Sequence, residues 1–219
     1  MLTVEEPHYF KERTGRCAFR GANGVYTHGM LMVEEAHLPM TITVPGITDE
    51  EFARLCEQYV DCRIEYTAEG DLIVMPPTDP ETGVRNNDIS AQLRNWARST
   101  GRGFTTDSSA GFILPSGARR SPDSAWFSRS RLRARPTCPE FVIELLSPSD
   151  RVRTVHLKML EWMENGAELG WMINPKTRTV SIYRPGTNEP ERRSGILELA
   201  GEGPVEGFVL DLSLVWDVQ

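Results

Sequence analysis

A mixed α/β (α+β) domain is the fold class this sequence predicts, on three observations. Helical and strand-like segments interleave as helix, strands, helix, strands, helix, strands, the order of a mixed sheet with helices packed on it. The segment Glu140-Phe141-Val142-Ile143-Glu144-Leu145-Leu146 is nearly all apolar, as a central strand covered on both faces must be. The 219 residues have ordinary hydrophobic (39%) and charged (25%) fractions and no internal repeat. One domain therefore suffices, large enough to bury roughly 70% or more of its unfolded surface.

Residues 1–45 show weak periodicity and read as an N-terminal arm or a short hairpin ahead of a domain over 46–219. Gly46-Ile47-Thr48-Asp49-Glu50-Glu51 carries an N-cap and an acidic first turn, opening a helix with Phe52, Leu55, Cys56 and Tyr59 on one side. Strands over 62–66 and 71–75 are joined by the turn Ala68-Glu69-Gly70, and 76–80 reads as a loop. Ile89, Leu93, Trp96 and Ala97 give helical spacing over 86–100, stopped by Gly101. Short strands are predicted over 103–106, 111–114 and 124–127, then the apolar strand over 141–146. Ser149 or Asp150 is placed to cap a helix to about residue 165, ended by Gly166. Strands over 169–173 and 179–183 flank the turn Asn174-Pro175-Lys176-Thr177, and late strands follow over 196–199 and 209–212.

No run of 18 apolar residues predicts a membrane span, and no basic-then-apolar start marks a secretory signal, so a cytoplasmic location is expected. Cys17, Cys56, Cys62 and Cys138 are scattered without metal-ligand spacing and read as reduced thiols. A net charge of −7 argues against non-specific nucleic-acid binding over the whole surface. The charge is uneven, however. From Arg119 to Lys158 basic residues outnumber acidic ones, with Arg119, Arg120, Arg129, Arg131, Arg133 and Arg135 among them.

That basic surplus surrounds an acidic pair. Asp123 follows Pro122 just before one strand, and Glu144 lies about twenty residues on, near the end of the next. Alternation puts Glu144 on a face shared with Val142 and Leu146, otherwise apolar. A carboxylate there is costly unless it is paired or bound to a cation. A strand-end salt bridge from Glu144 to Arg120 or Arg151, and a plain Pro-Asp turn at Asp123, are the structural alternatives. Two such carboxylates together suggest a site for a hard metal ion of the kind that cleaves phosphodiesters. Lys158 flanks the apolar stripe Val152, Val155, Met159, Trp162 and Met163, from which it can either reach over the sheet or merely cover the stripe. Ser147 and Ser149 lie outside any Gly-x-Ser-x-Gly elbow, which argues against a serine hydrolase.

Ser121-Pro122-Asp123, then Glu144-Leu145-Leu146-Ser147-Pro148-Ser149-Asp150, then Lys158 with Trp162 and Asn165-Gly166, resemble the Uma2 family. Its members are bacterial proteins of the restriction-endonuclease-like PD-(D/E)XK superfamily. The segments 73–78, 81–83, 111–115, 174–180 and 182–186 extend the likeness over roughly 46–215. The resemblance implies a mixed sheet flanked by helices, with a divalent-metal nuclease site at one end. Asp123 and Glu144 match the superfamily's acidic pair; Leu146 stands where its lysine would, and Lys158 matches a lysine relocated to the next helix. Glu65 matches a recurring family glutamate, with Asp88 the other candidate and a salt bridge from Glu65 to Arg63 or Arg85 the structural alternative.

The expectation is a metal-dependent endonuclease acting on DNA. Asp123, Glu144 and the Leu145 main-chain carbonyl, with Glu65 a further candidate, are expected to hold Mg²⁺ or Mn²⁺. Lys158 would orient water or offset transition-state charge, while Arg119, Arg120, Arg129 and Arg131 guide the phosphate backbone. Double-strand cutting needs two sites, which a homodimer would supply, though no segment demands one. The alternative is a nuclease fold without turnover, acting as a nucleic-acid or protein interaction module. A lysine end lying more than roughly 8 Å from both carboxylates would favour that alternative, because a catalytic group must come within reach of the reacting atoms.

Overall fold

The computed structural model describes residues 16–19, 31–34, 39–134 and 137–218. At the start, β1 (Arg16–Phe19) and β2 (Leu31–Glu34) pair antiparallel. β3 (Met40–Thr43) lies within the stretch read as the arm, yet it pairs antiparallel with β5 (Asp71–Met75), which forms a hairpin with β4 (Arg63–Tyr66). Between β3 and β4, α1 (Asp49–Gln58) begins on the capping box its sequence predicts. The Thr48 hydroxyl accepts from the Glu51 N–H at 3.2 Å, and the Thr48 N–H donates to the Glu51 carboxylate at 3.0 Å.

α2 (Pro80–Thr100) starts earlier than its apolar spacing implied. The Asp79 carboxylate accepts the Thr82 N–H at 3.0 Å, and Pro80 takes the first turn, where its missing N–H costs nothing. The predicted loop over 76–80 thus ends in a cap. The chain continues as β6 (Phe104–Asp107), β7 (Phe112–Ile113), β8 (Arg119–Arg120), β9 (Ser124–Phe127) and β10 (Phe141–Leu145). α3 (Val152–Glu164) follows, then β11 (Leu169–Asn174), β12 (Thr179–Tyr183), β13 (Glu191–Ser194), β14 (Glu198–Ala200), β15 (Val209–Asp211) and α4 (Ser213–Trp216). Arg151 precedes α3 without a side-chain cap, so neither Ser149 nor Asp150 serves as one. Asp150 instead accepts from the Ser147 N–H at 2.8 Å, closing the exit from β10.

Two sheets result. The larger has the order β13-β12-β11-β10-β9-β6, and the smaller β3-β5-β4-β8-β7. β10 and β11 run parallel and are joined through α3; the other ladders of the large sheet are antiparallel. Alternation along β10 sorts the core. Phe141, Ile143 and Leu145 pack with Ile89, Leu93 and Ala97 of α2, while Val142 and Leu146 pack with Met159, Trp162 and Met163 of α3. Burial on both faces explains the near-continuous apolar run. Glu144 therefore faces α3.

β8 belongs to the small sheet and β9 to the large one, with only Ser121, Pro122 and Asp123 between them. Pro122 has no N–H for a ladder and interrupts the strand. The seam between the sheets therefore falls at Asp123, beside Glu65 of β4.

At the other end of β9, Gly103 holds φ +62° ahead of β6. A Cβ there would press on the Phe127 carbonyl oxygen and lie 2.7 Å from the Trp126 ring. Gly103→Ala combines a left-handed backbone with a clash against main chain, so a loss of about 2–4 kcal/mol is expected. The check is urea unfolding; a variant as stable as wild type would show that β6 can shift off β9.

Candidate active site

Asp123 is held by the strand it faces. Its N–H donates to the Ile143 carbonyl at 3.1 Å, and its Oδ2 accepts the Leu145 N–H at 2.8 Å. The side chain thus takes the place of a ladder partner just ahead of the first residue of β9. The Leu146 N–H points the other way, donating to Ile173 of β11 at 2.9 Å. In an extended strand the N–H and C=O of one residue point to the same side, so the Leu145 carbonyl opens on the Asp123 side.

Glu144 is 4% exposed. Its carboxylate lies 2.8 Å (Oε1) and 3.0 Å (Oε2) from the Lys158 Nζ, and Oε1 also accepts the Trp162 indole N–H at 2.9 Å. Lys158 and Trp162 sit four residues apart on α3, so both reach the same carboxylate. Neither Arg120 nor Arg151, the partners considered from sequence, holds Glu144. Lys158 also donates to Glu65 Oε1 and to the Ser121 carbonyl, each at 2.9 Å. This lysine bridges the two sheets.

Glu65 is the hub on the small-sheet side. Besides Lys158, it accepts from Arg63 at 3.2 Å, Arg120 at 3.1 Å and the Ser121 N–H at 3.2 Å. Arg63 leads on to Asp123 Oδ1 at 3.1 Å and to the Ser121 carbonyl, and Arg120 to Glu161 at 2.5 Å. Asp88, the other acidic candidate, accepts from Gln92 at 2.7 Å and does not line the cleft over this cluster.

Charge decides what the cluster can accept. Asp123, Glu65, Glu144 and Glu161 face Arg63, Arg120 and Lys158, four negative groups against three positive. Burial disfavours the charged form of Glu65, yet Lys158, Arg63 and Arg120 outweigh it and hold the carboxyl down at about 2. Burial dominates at Glu144. Attraction to Lys158 opposes it, repulsion from Asp123 and Glu65 reinforces it, and the carboxyl is pushed up to about 7. The surplus negative charge thus centres on Glu144, where either a proton or a bound cation relieves it.

The arginines expected to guide a phosphate backbone differ in placement. Arg119 is buried, bonded to Asp49 at 3.1 Å through Nε and stacked over Phe52 and Tyr66. Arg120 is buried between Glu65 and Glu161, and Arg131 pairs with Glu140 and Glu168 at 3.4 Å. Arg129 is exposed, its guanidinium 5.0 Å from the Phe104 ring centroid. Sequence reasoning overlooked Arg63 as the partner of Asp123, Glu161 as that of Arg120, and Trp162 as a donor to Glu144. Only Trp162 left a local signal, its i,i+4 spacing from Lys158; Arg63–Asp123 and Arg120–Glu161 join residues 60 and 41 positions apart.

A mixed sheet with Asp123 and Glu144 at the ends of neighbouring strands, and a helix lysine bridging Glu144 to Glu65, defines a domain of the restriction-endonuclease-like fold. The chain belongs to the Uma2 family, whose model, described as "Putative restriction endonuclease", matches residues 49–214. No curated protein matches. Among solved structures, the chain is similar to "a putative nuclease belonging to DUF820" from Anabaena variabilis ATCC 29413, with TM-score 0.66 and 21% identity. That match covers 78% of this chain and 98% of the other. A weaker likeness, TM-score 0.33 at 14% identity over 52% of this chain and 12% of the other, is to a DrdV-DNA complex. No helix among the described residues is long and apolar enough to cross a membrane.

Proposed function

We propose that this protein is a divalent-metal-dependent endonuclease that hydrolyses phosphodiester bonds of DNA. The observation that carries this reading is the Lys158 ammonium, 2.8 Å from Glu144 although Leu146 occupies the strand position a lysine would use. The residues fit a hard cation in donor type and charge: two carboxylates, a main-chain carbonyl opening beside them, and one negative charge in excess. Asp123, Glu144 and the Leu145 carbonyl would hold Mg²⁺ or Mn²⁺. Such an ion polarises a phosphoryl oxygen and lowers the pKa of its bound water.

The remaining work falls to the chain's own groups. Glu65, with both oxygens engaged by cations, positions Lys158 and Arg63 rather than leaving them to solvent. The Trp162 indole fixes the Glu144 carboxylate in one rotamer. Lys158 orients the attacking water or offsets charge developing on the phosphate. Arg63, partly exposed above Asp123, offers a second cation to the same phosphate.

The test is nicking of supercoiled plasmid in Mg²⁺, Mn²⁺ or EDTA, beside Asp123→Asn. Nicking by wild type in metal alone, lost in the variant, is the expected result; a wild type inert in both metals overturns the assignment. One observation favours a second reading, a fold kept for binding without turnover. Among the described residues no three acidic, histidine or cysteine side chains converge on one cation position, and protein donors already engage Asp123, Glu144 and Glu65. Calorimetric titration with Mn²⁺ separates the two, because the binding module predicts no metal uptake that Asp123→Asn removes.

A further inference from the structure

A second cleft, about 1030 Å³, runs between α2 and β6. It joins the cleft over the acidic cluster, sharing Thr78, Ser108, Ser109 and Asp123 with it. The two differ in charge. Carboxylates predominate in the lining of the first, and its Arg63, Arg120 and Lys158 are all paired with them. The second is lined by Arg94, Arg98 and Arg129 against only Asp107 and Asp123. Asp107 is satisfied locally by the Ser109 N–H at 3.0 Å and the Ser109 hydroxyl, and Asp123 by Arg63.

Arg94, Arg98 and Arg129 are exposed, and among the described residues none of them meets a carboxylate. On α2, Asn87, Ala91, Arg94 and Arg98 follow spacings of four, three and four, which draws them into one stripe turned away from the buried Ile89 and Leu93. The stripe spans about 16 Å of helix axis, the rise of roughly five steps of a duplex strand. Arg94 and Arg98 lie one turn apart on α2, about 6 Å along its axis, Arg129 stands over Phe104 of β6, and the cleft continues past them to Thr78 and Asp123, a length that suits a polyanion better than a single small anion.

We propose that this cleft is the track for the nucleic-acid backbone leading away from the reacting phosphate, with Arg94, Arg98 and Arg129 as sequence-independent phosphate contacts. The Asn87, Ser90, Thr105 and Ser108 side chains add polar contacts along it. As phosphate contacts, the three arginines contribute affinity and direction, not sequence preference. The inference rests on the nuclease reading for its substrate class, but its test does not depend on cleavage.

The experiment is fluorescence anisotropy in EDTA with a labelled duplex and its single strand, repeated over a NaCl series. It compares wild type, the triple variant Arg94→Gln/Arg98→Gln/Arg129→Gln, the corresponding triple lysine variant, and Arg192→Gln on the exposed edge strand β13 as control. The glutamine triple is expected to lose roughly ten-fold or more in affinity, and its slope of log K against log salt to flatten by about 2–3. The lysine triple should keep most of the slope and Arg192→Gln all of it. A glutamine triple with wild-type affinity and slope overturns the track even if wild type cuts plasmid, and so does a wild type that binds neither probe. Binding that loses its slope in the triple, by a wild type that never nicks, keeps the track and removes the nuclease.

Discussion

Glu144→Gln is expected to reduce metal-dependent nicking by roughly 10²–10³-fold or more while leaving the chain folded. Glutamine keeps the side chain's length and an oxygen in reach of both the Trp162 indole and the Lys158 ammonium, so the packing against α3 survives. What it removes is charge at the carboxylate that carries the site's surplus, and with it one of two anionic ligands. An alanine there would also strip both donors of their acceptor and blur the reading.

Stability should move the opposite way from activity. Burial lifts the Glu144 carboxyl to about 7, so in the metal-free fold it holds a proton that the unfolded chain has already released. Its contribution is therefore full below the ordinary carboxylate range and is lost as pH rises through about 7. Glutamine has no such dependence. Urea unfolding in EDTA is expected to show wild type losing ground to the variant between about pH 5 and pH 8, while plasmid nicking in Mn²⁺ disappears. A variant that unfolds like wild type and cuts at the wild-type rate would take Glu144 out of the chemistry.

Local pattern carried the sequence reading where one element decides the outcome. Alternation along β10 put Glu144 on one face with Val142 and Leu146, the face that α3 covers, and the flank position of Lys158 on its helix let it reach across the sheet surface. The Asp79-Pro80 cap was equally legible by its chemistry, but the apolar spacing that marks a buried face begins only further along α2. Two arginines in isolation show no period, so β8 was invisible, and with it the crossing between sheets that brings Glu65 to Asp123. Arg63 reaches Asp123 from 60 residues away, a pairing only tertiary structure creates. The basic run was read correctly as a surplus, yet sequence cannot say which charges are already spent: burial turned Arg119 and Arg120 into partners of Asp49, Glu65 and Glu161.

Lys158→Met is expected to cost about 3–5 kcal/mol of stability and to abolish nicking, because one ammonium serves both purposes. Its side chain is 12% exposed, and it is the only cation that touches Glu65 and Glu144 together among the described residues. Removing it leaves four carboxylates facing two arginines, with Glu144 relieved in part by protonation. The double variant Lys158→Met/Glu144→Gln isolates the structural role, since it deletes one charge of each sign. Urea unfolding should show the double variant recovering a substantial part of the lost stability, a coupling that independent sites would not give, while nicking stays absent. Lys158→Met at wild-type stability would mean the three-way bridge contributes nothing to the fold. Because Glu144→Gln by itself removes cutting, the double variant reports on stability alone. The chemistry is read from Lys158→Met assayed below its own unfolding midpoint: folded protein that does not nick assigns this lysine to the reaction, whereas nicking there at the wild-type rate would make Lys158 a strut for Glu144 and nothing more.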